Sequence, residues 1–458
     1  MPMRECPHYC PPRPKPLGPL ASLVRVGLEG EGDLIGLMPA SAYHADMGPL
    51  GYSRRSIIIV NHPELTGPIL ADDGELYPKN DLMVGALAPL VGNAMFVSGG
   101  QTWRRQRAMI DPAFSQLRLA KAFGAMTGAV EDSVAHWTAL EGRPVSLDLS
   151  MGQLTADIIC RTVFSASLAQ ATARDVFEAF SFFERSVAHV EIKRLIFGKP
   201  FDTIPQSKEV LKACACIRGH IGDLLDRHLA QGADFDDIAA RLIEARDLAS
   251  GAGFSRAELI DQLGVFFLAG HETTASALTW ALYIAAVRPE IAAQVRAEVT
   301  QICGTGEIGF EQVKKLVFTR ACIKETLRLY PPITFIPRVA ARDCVIGAKA
   351  IKRGTMVMIS PWAIHRHHSL WPDPDAFDPT RFLPPREGHI VHGSYIPFGQ
   401  GPRVCVGAAF ALTEATLILA RLLQVFDLDV QASDTVRPVA RLTTRPAKEI
   451  MVVPVRRA

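Results

Sequence analysis

Hydrophobic and polar positions follow two rhythms along this chain, a helical one through most of its length and a shorter, strand-like one towards the end. Up to about Asn61 the pattern is irregular, with one apolar, β-branched run at Ser56–Val60 that predicts a strand. Apolar residues then recur at helical spacing over Gln101–Phe114, Lys121–Leu140, Leu147–Phe164 and Ala171–Val190. Pro205 and Ser207 precede a further helix that runs to about Gln231.

The longest helix has the clearest signals. Ser255-Arg-Ala-Glu258 is a capping box that starts it, and Pro289 stops it after Arg288. That interval is about 33 residues, or roughly 50 Å at 1.5 Å per residue, enough to cross a whole domain. It is apolar on nearly all sides around Val265–Leu268, which predicts a buried middle. Helices over Glu290–Cys303 and Val317–Leu329 follow, the second ended by Pro331 and Pro332. Arg338–Val345 and Thr355–Ile359 read as short strands, and Pro361 to Gly401, rich in Pro, Gly, Asp and His, as a long ordered loop. A last helix runs from near Cys405 to Gln424, and the tail alternates as strands do. The sum is a mainly α fold with a small β portion.

Composition adds limits. With 458 residues and 48% hydrophobic content the chain can bury a large core. Length alone favours two or three domains, yet no linker, charge run or internal repeat interrupts it, so one domain over residues 1–458 is expected, with an irregular stretch of about 20 residues at the start. A formal charge of +2 gives no reason to expect a nucleic-acid partner. The first 60 residues hold neither a signal-peptide core nor a spanning run, so the expectation is a soluble, cytoplasmic chain without a membrane anchor. Its nine cysteines are then expected as free thiols or ligands. Cys6, His8 and Cys10, and the pair Cys214 and Cys216, lack the second ligand pair of a tetrahedral zinc site, and the turn holding His365, His367 and His368 reads as structural.

One cysteine stands apart. Phe398-Gly-Gln-Gly401-Pro-Arg403-Val-Cys405-Val-Gly407 places it between glycines and ahead of a helix. A thiolate that ligates iron needs close backbone approach, N–H groups aimed at sulfur and a favourable helix N-terminus, and this loop offers all three. Phe398 would shield the sulfur and Arg403 would pair with a haem propionate. The plain alternative is a buried structural cysteine at a helix start.

This motif resembles the haem-binding loop of the cytochrome P450 family, Phe-x-x-Gly-x-Arg-x-Cys-x-Gly, at each defined position, and companions in family order strengthen the resemblance. It implies Cys405 as iron ligand to haem b. It implies that Glu325 and Arg328, one turn apart on a helix, are buried and bond Arg381, bracing the cysteine loop; Thr380 stands where the family often has glutamate. It implies that Ala269-Gly270-His-Glu272-Thr273 opens an oxygen pocket in the long helix, with Thr273 as hydrogen-bond donor and Glu272 relaying protons. Trp103 and Arg107 resemble the family's propionate clamp, with Arg338 as a third contact. The family fold is a triangular helical domain with a β-rich corner.

The resemblance further implies a monooxygenase that inserts one atom of O2 into an apolar or amphipathic substrate. Its electrons would come from separate proteins, a ferredoxin and a ferredoxin reductase, since no reductase module is recognised in the chain. The enzyme is expected as a monomer, with Arg104 and Arg105 helping to dock an acidic donor. Two other readings stay open: a peroxide-dependent relative, which the Glu272–Thr273 pair disfavours, and a haem-bearing sensor or carrier. Pocket segments are expected at Asp81–Phe96, Val187–Lys199, Phe266–Gly270, Ile333–Ile336 and Leu442–Thr444.

Overall fold

The computed structural model describes residues 9–18, 33–50, 56–140, 142–168, 206–231, 235–430, 436–440 and 442–457, together with 21, 22, 24, 175, 177–180, 182 and 183. Its helices run in chain order as α1 (Pro63–Ala71), α2 (Asp81–Val91), α3 (Gly100–Ile110), α4 (Gln116–Ala139), α5 (Leu147–Phe164), α6 (Lys208–Gln231), α7 (Ile238–Glu244), α8 (Arg256–Val287), α9 (Pro289–Cys303), α10 (Phe310–Val313), α11 (Val317–Leu329), α12 (Pro361–Ile364) and α13 (Ala408–Val425). The expected helix over 171–190 and the pocket segment 187–199 lie largely or wholly outside the described residues, although Phe180 and Phe183 are placed and buried.

Helix α8 is the axis of the fold. Ser255 Oγ accepts from Glu258 N at 3.3 Å and Glu258 Oε2 accepts from Ser255 N at 2.8 Å, which satisfies two of the free donors of the first turn. From Leu259 to Ala285 nearly every side chain is buried, because α5, α6, α11 and α13 pack around it. The approach of α5 depends on Gly270: a Cβ there would collide with Ile159 Cδ1 and lie 2.9 Å from its Cγ1.

Strands fill one edge. A four-stranded sheet has the order β1 (Met47–Pro49), β2 (Ile57–Val60), β7 (Met356–Ile359), β4 (Ile336–Val339), where β2 and β7 are parallel and the other pairs antiparallel. The run expected over Arg338–Val345 is two elements: β4 ends at Val339, and β5 (Cys344–Ile346) forms a separate hairpin with β6 (Lys349–Ile351). Near the chain end β8 (Phe426–Val430) pairs with β11 (Met451–Arg456), which also takes up β3 (Val145–Ser146). The last hairpin joins β9 (Pro438–Ala440) to β10 (Thr444–Pro446). Helix α13 has the length and apolarity to cross a membrane, and its inner face belongs to the core.

Candidate active site

The cysteine loop is built from turns that need glycine. Gly399 and Gly401 have φ of +74° and +75°, the left-handed region that side chains disfavour. A Cβ on Gly401 would also strike the Leu70 carbonyl at the end of α1, so this glycine lets the loop cross that helix. Cys405 N donates to Phe398 O at 2.9 Å, which closes the loop, and α13 begins three residues on, at Ala408. Cys405 opens onto a cavity of about 670 Å³ that Phe398 also lines. Burial pushes its thiol pKa up, while the Gly407 N–H and the charge of Arg107 pull the other way.

Behind the loop, Arg328 Nε and Nη2 each donate to Glu325 at 2.7 Å, with both side chains fully buried. The Arg328 Nη groups go on to the carbonyls of His365 at 2.8 Å, Pro374 at 2.6 Å and Ala376 at 2.8 Å. Arg381 Nε stands 3.4 Å from Glu325 Oε1 and its Nη2 donates to Asp373 O at 2.9 Å. The three residues therefore tie α11 to the segment that leads into the cysteine loop.

Cations crowd another wall. Arg403 lies over the Trp103 ring at 4.3 Å and donates to the carbonyls of Ser98 and Asp73, each at 3.1 Å. Arg338 donates to Pro337 O at 3.1 Å, and Lys79 donates to Phe96 O. Among the described residues no carboxylate lies within ion-pair distance of these three groups. Burial and the mutual repulsion with Arg403 lower Arg338 to about 10. Burial, Arg403 and Arg338 hold Lys79 well below the lysine range. Such a wall is suited to an anion, and the two propionates of haem b match it. Arg107 lines the same cavity, and it donates to Asp111 at 2.5 Å and to the Val404 carbonyl at 2.7 Å, so it also braces the cysteine loop directly.

Across the cavity, Ala269, Gly270, Glu272 and Thr273 line the wall formed by α8. Thr273 Oγ1 donates to Ala269 O at 2.7 Å, the bond a mid-helix threonine makes to the preceding turn. Glu272 accepts from Thr443 Oγ1 at 2.6 Å and from Arg445 through Nε at 2.9 Å and through Nη2. Burial alone would raise its pKa; the charge and bonds of Arg445, with His271 and Thr443, overcome that and hold it at about 2.

Much of the remaining wall is apolar. Met83 and Leu87 from α2, Phe266 from α8, Phe335 before β4, and Leu442 face the space. Phe266 meets Phe114 edge-on at 5.2 Å, whereas Phe267 turns away and stacks on Phe180 at 4.5 Å. Of the two arginines expected on the docking face, Arg104 pairs with Asp73, whose carbonyl accepts from Arg403. Arg105 instead reaches Glu258 at the start of α8 and covers Phe254, so it is drawn away by the acid of the capping box. Lys79 and Arg445 were not singled out from sequence. Arg445 meets Glu272 and Asp148, and Lys79 meets the charges of Arg338 and Arg403, only once distant segments have folded together.

A mainly helical fold with a β-rich edge, and a cysteine facing an acid–alcohol pair across an apolar cavity, define a protein of the haem–thiolate class. The chain belongs to the cytochrome P450 family, whose model, described as "Cytochrome P450", matches residues 42–453. It is similar to cyclooctatin synthase of Streptomyces melanosporofaciens, 32% identical with 82% of each chain covered. It is 31% identical to cyclooctat-9-en-7-ol 5-monooxygenase of the same organism, covering 82% of this chain and 81% of the relative. Pentalenene oxygenase of Streptomyces avermitilis is 26% identical over 89% of each chain. Among solved structures, the haem domain of cytochrome P450DA superposes with a TM-score of 0.80 at 25% identity, covering 90% of this chain and 89% of that one. The protein is a haem-thiolate monooxygenase that binds haem b and uses O2, an organic substrate and electrons from redox partners.

Proposed function

We propose that the substrate is a cyclic, largely hydrocarbon molecule of terpenoid type, which gains one oxygen atom by hydroxylation or epoxidation. The observation that carries this reading is the apolar cavity joining Cys405 to Thr273. Met83, Leu87, Phe266, Phe335 and Leu442 offer it broad apolar surface, which suits a hydrocarbon skeleton with few polar groups. The names of the relatives from Streptomyces, which include pentalenene and a cyclooctatene alcohol, agree with that class.

Haem b, once bound, supplies oxygen activation with the electron push of a thiolate ligand. Cys405 is the residue we assign as that ligand, held by the Phe398 carbonyl on one side and α13 on the other. Lys79, Arg338 and Arg403 would neutralise the propionates, with Trp103 packed beneath Arg403. Phe398 limits water at the sulfur, and Gly407 directs its N–H there. Thr273 holds a proton at Oγ1 on the opposite wall, and Glu272 receives protons from solvent and passes them inward. Glu325, Arg328 and Arg381 keep the loop in place.

Electrons come from a separate ferredoxin and ferredoxin reductase to a cytoplasmic, monomeric, single-domain enzyme, and Arg104 is the docking cation on the cysteine side. The test is a panel of ligands read by substrate-induced shifts of the Soret band, followed by turnover with NADH, ferredoxin, reductase and O2. Cyclic terpenoid hydrocarbons and their mono-alcohols should bind most tightly and yield products one oxygen heavier. Tighter binding and turnover of linear fatty acids would overturn the substrate class. Reduction by a flavodoxin-type donor alone would overturn the partner.

A further inference from the structure

Glu272 is one end of a line of charges that leaves the cavity. Arg445 holds it with Nε and Nη2, and the remaining Nη1 donates to Asp148 Oδ1 at 2.5 Å. The side chain of Glu272 is 7% exposed, that of Arg445 14% and that of Asp148 27%, so the three step outward from cavity to surface. Each is fixed by its own element. Asp148 stands in the first turn of α5, where the helix dipole favours its charge. Arg445 follows Thr444, whose carbonyl accepts from Ser276 Oγ at 2.6 Å and Trp280 Nε1 at 2.9 Å on α8, and whose own N–H reaches Pro332 O at 3.0 Å. Thr443, in the same segment, donates to Glu272 at 2.6 Å and lines the cavity. Among the described residues His271 also acts on Glu272, and its Nδ1 lies 2.7 Å from Phe267 O.

Two carboxylates share the Arg445 guanidinium, and the charge of His271 also favours the ionised form of Glu272. With Glu272 ionised, the two carboxylates and Arg445 sum to −1. When Glu272 takes a proton from solvent the sum is zero, and Arg445 and Asp148 remain as a closed pair. Without Asp148, the same step would remove the negative charge that faces Arg445 on its surface side, a costly change for a largely buried guanidinium. We propose that Arg445 and Asp148 are positioning residues for proton delivery: Arg445 holds Glu272 as a fixed carboxylate between cavity and surface, and Asp148 keeps Arg445 paired each time Glu272 lets go to carry a proton inward. The inference rests on the monooxygenase reading and on the role assigned to Glu272.

The two residues then act in opposite directions, which a purely structural role would not produce. The experiment uses the haem-loaded protein and pH-difference infrared spectroscopy of the resting state, with E272Q identifying the Glu272 band. R445Q should move protonation of Glu272 to higher pH by about one unit or more. D148N should move it the other way or leave it low, while product formed per O2 consumed falls about tenfold at neutral pH. R445K keeps the charge but loses the fork, and should give an intermediate infrared shift even if R445Q folds poorly. An unmoved Glu272 band in both Arg445 variants would overturn the proposal, as would shifted bands with wild-type product-to-oxygen ratios and pH profiles. Loss of the thiolate signature in the wild-type reduced–CO spectrum would instead sink the monooxygenase reading, and the infrared shifts would still judge the ion line on their own.

Discussion

Arg328 grips Glu325 through two bonds of 2.7 Å in a place where neither side chain has exposed surface. Removing one member of such a pair leaves the other charged, buried and unpaired, which costs about 3–5 kcal/mol. The loss here would reach further, because three carbonyls of the segment ahead of the cysteine loop also depend on Arg328. R328K supplies a charge but not the planar fork. It should lower the melting temperature and reduce haem retained after gel filtration, both in proportion. A variant that melted like the wild type and kept its haem would show the brace to be dispensable.

Acid should unfold this protein through His365. Its Nδ1 lies 3.1 Å from Arg328 O and its Nε2 accepts from Ile396 N at 2.9 Å, so the ring must be neutral to satisfy both. Burial, then the nearby charge of Arg328, lowers its pKa to about 3. Because the folded pKa is depressed, the unfolded chain binds the proton first. The contribution of His365 is complete above the ordinary histidine value and is lost as pH falls from about 6.5 to about 3, at roughly 1.4 kcal/mol per unit. His367 and His368 are lowered too, in each case first by burial, and add in the same direction. Urea midpoints measured from pH 7 to 4 should fall steadily, and H365Q should flatten that slope while lowering stability at pH 7. An unchanged slope in H365Q would place the acid sensitivity elsewhere.

How much of this was legible in the sequence depends on the range of each interaction. Helix α8 was readable to within a residue because its start is a local capping box and its stop a proline. Helix α5 was readable from its period. Helices α1 and α2 were not, since Pro68 and Pro89 sit inside them and interrupt the pattern; what secures α2 is the side chain of Asn80, which accepts from Leu82 N at 2.9 Å. The cysteine loop was legible because its residues are contiguous. The line from Glu272 to Arg445 and Asp148 was not, for these residues meet only after the last hairpin folds back onto α8 and α5. Lys79 escaped for the same reason: the repulsion it feels comes from Arg338 and Arg403.

Gly270 should prove a packing residue as well as a wall of the cavity. A methyl group there would overlap Ile159 on α5, and overpacking of this kind costs about 1–3 kcal/mol. G270A should therefore destabilise the protein, and I159A, which makes a cavity by itself, should recover part of that loss in the double variant. Chemical denaturation of the four proteins gives the coupling energy directly. Additive losses would mean that α5 shifts freely and that the close approach at Gly270 is unimportant.

The two walls of the cavity should separate cleanly under mutation. Cys405 opens onto the space from the loop that Phe398 closes, and Thr273 faces the same space from α8. If Cys405 is the iron ligand, C405S replaces a soft thiolate donor by a hydroxyl, and the red-shifted reduced–CO band should vanish even where haem is retained. T273A removes a hydroxyl whose only protein bond among the described residues is to the Ala269 carbonyl of its own helix. Helix α8 should survive that change, since alanine is the better helix former, and the reduced–CO band should be intact. What should change is the fate of oxygen: product per O2 consumed should fall roughly tenfold or more, with the balance appearing as peroxide. Wild-type coupling in T273A, with the thiolate band present, would leave Cys405 as the ligand and remove Thr273 from the proton path.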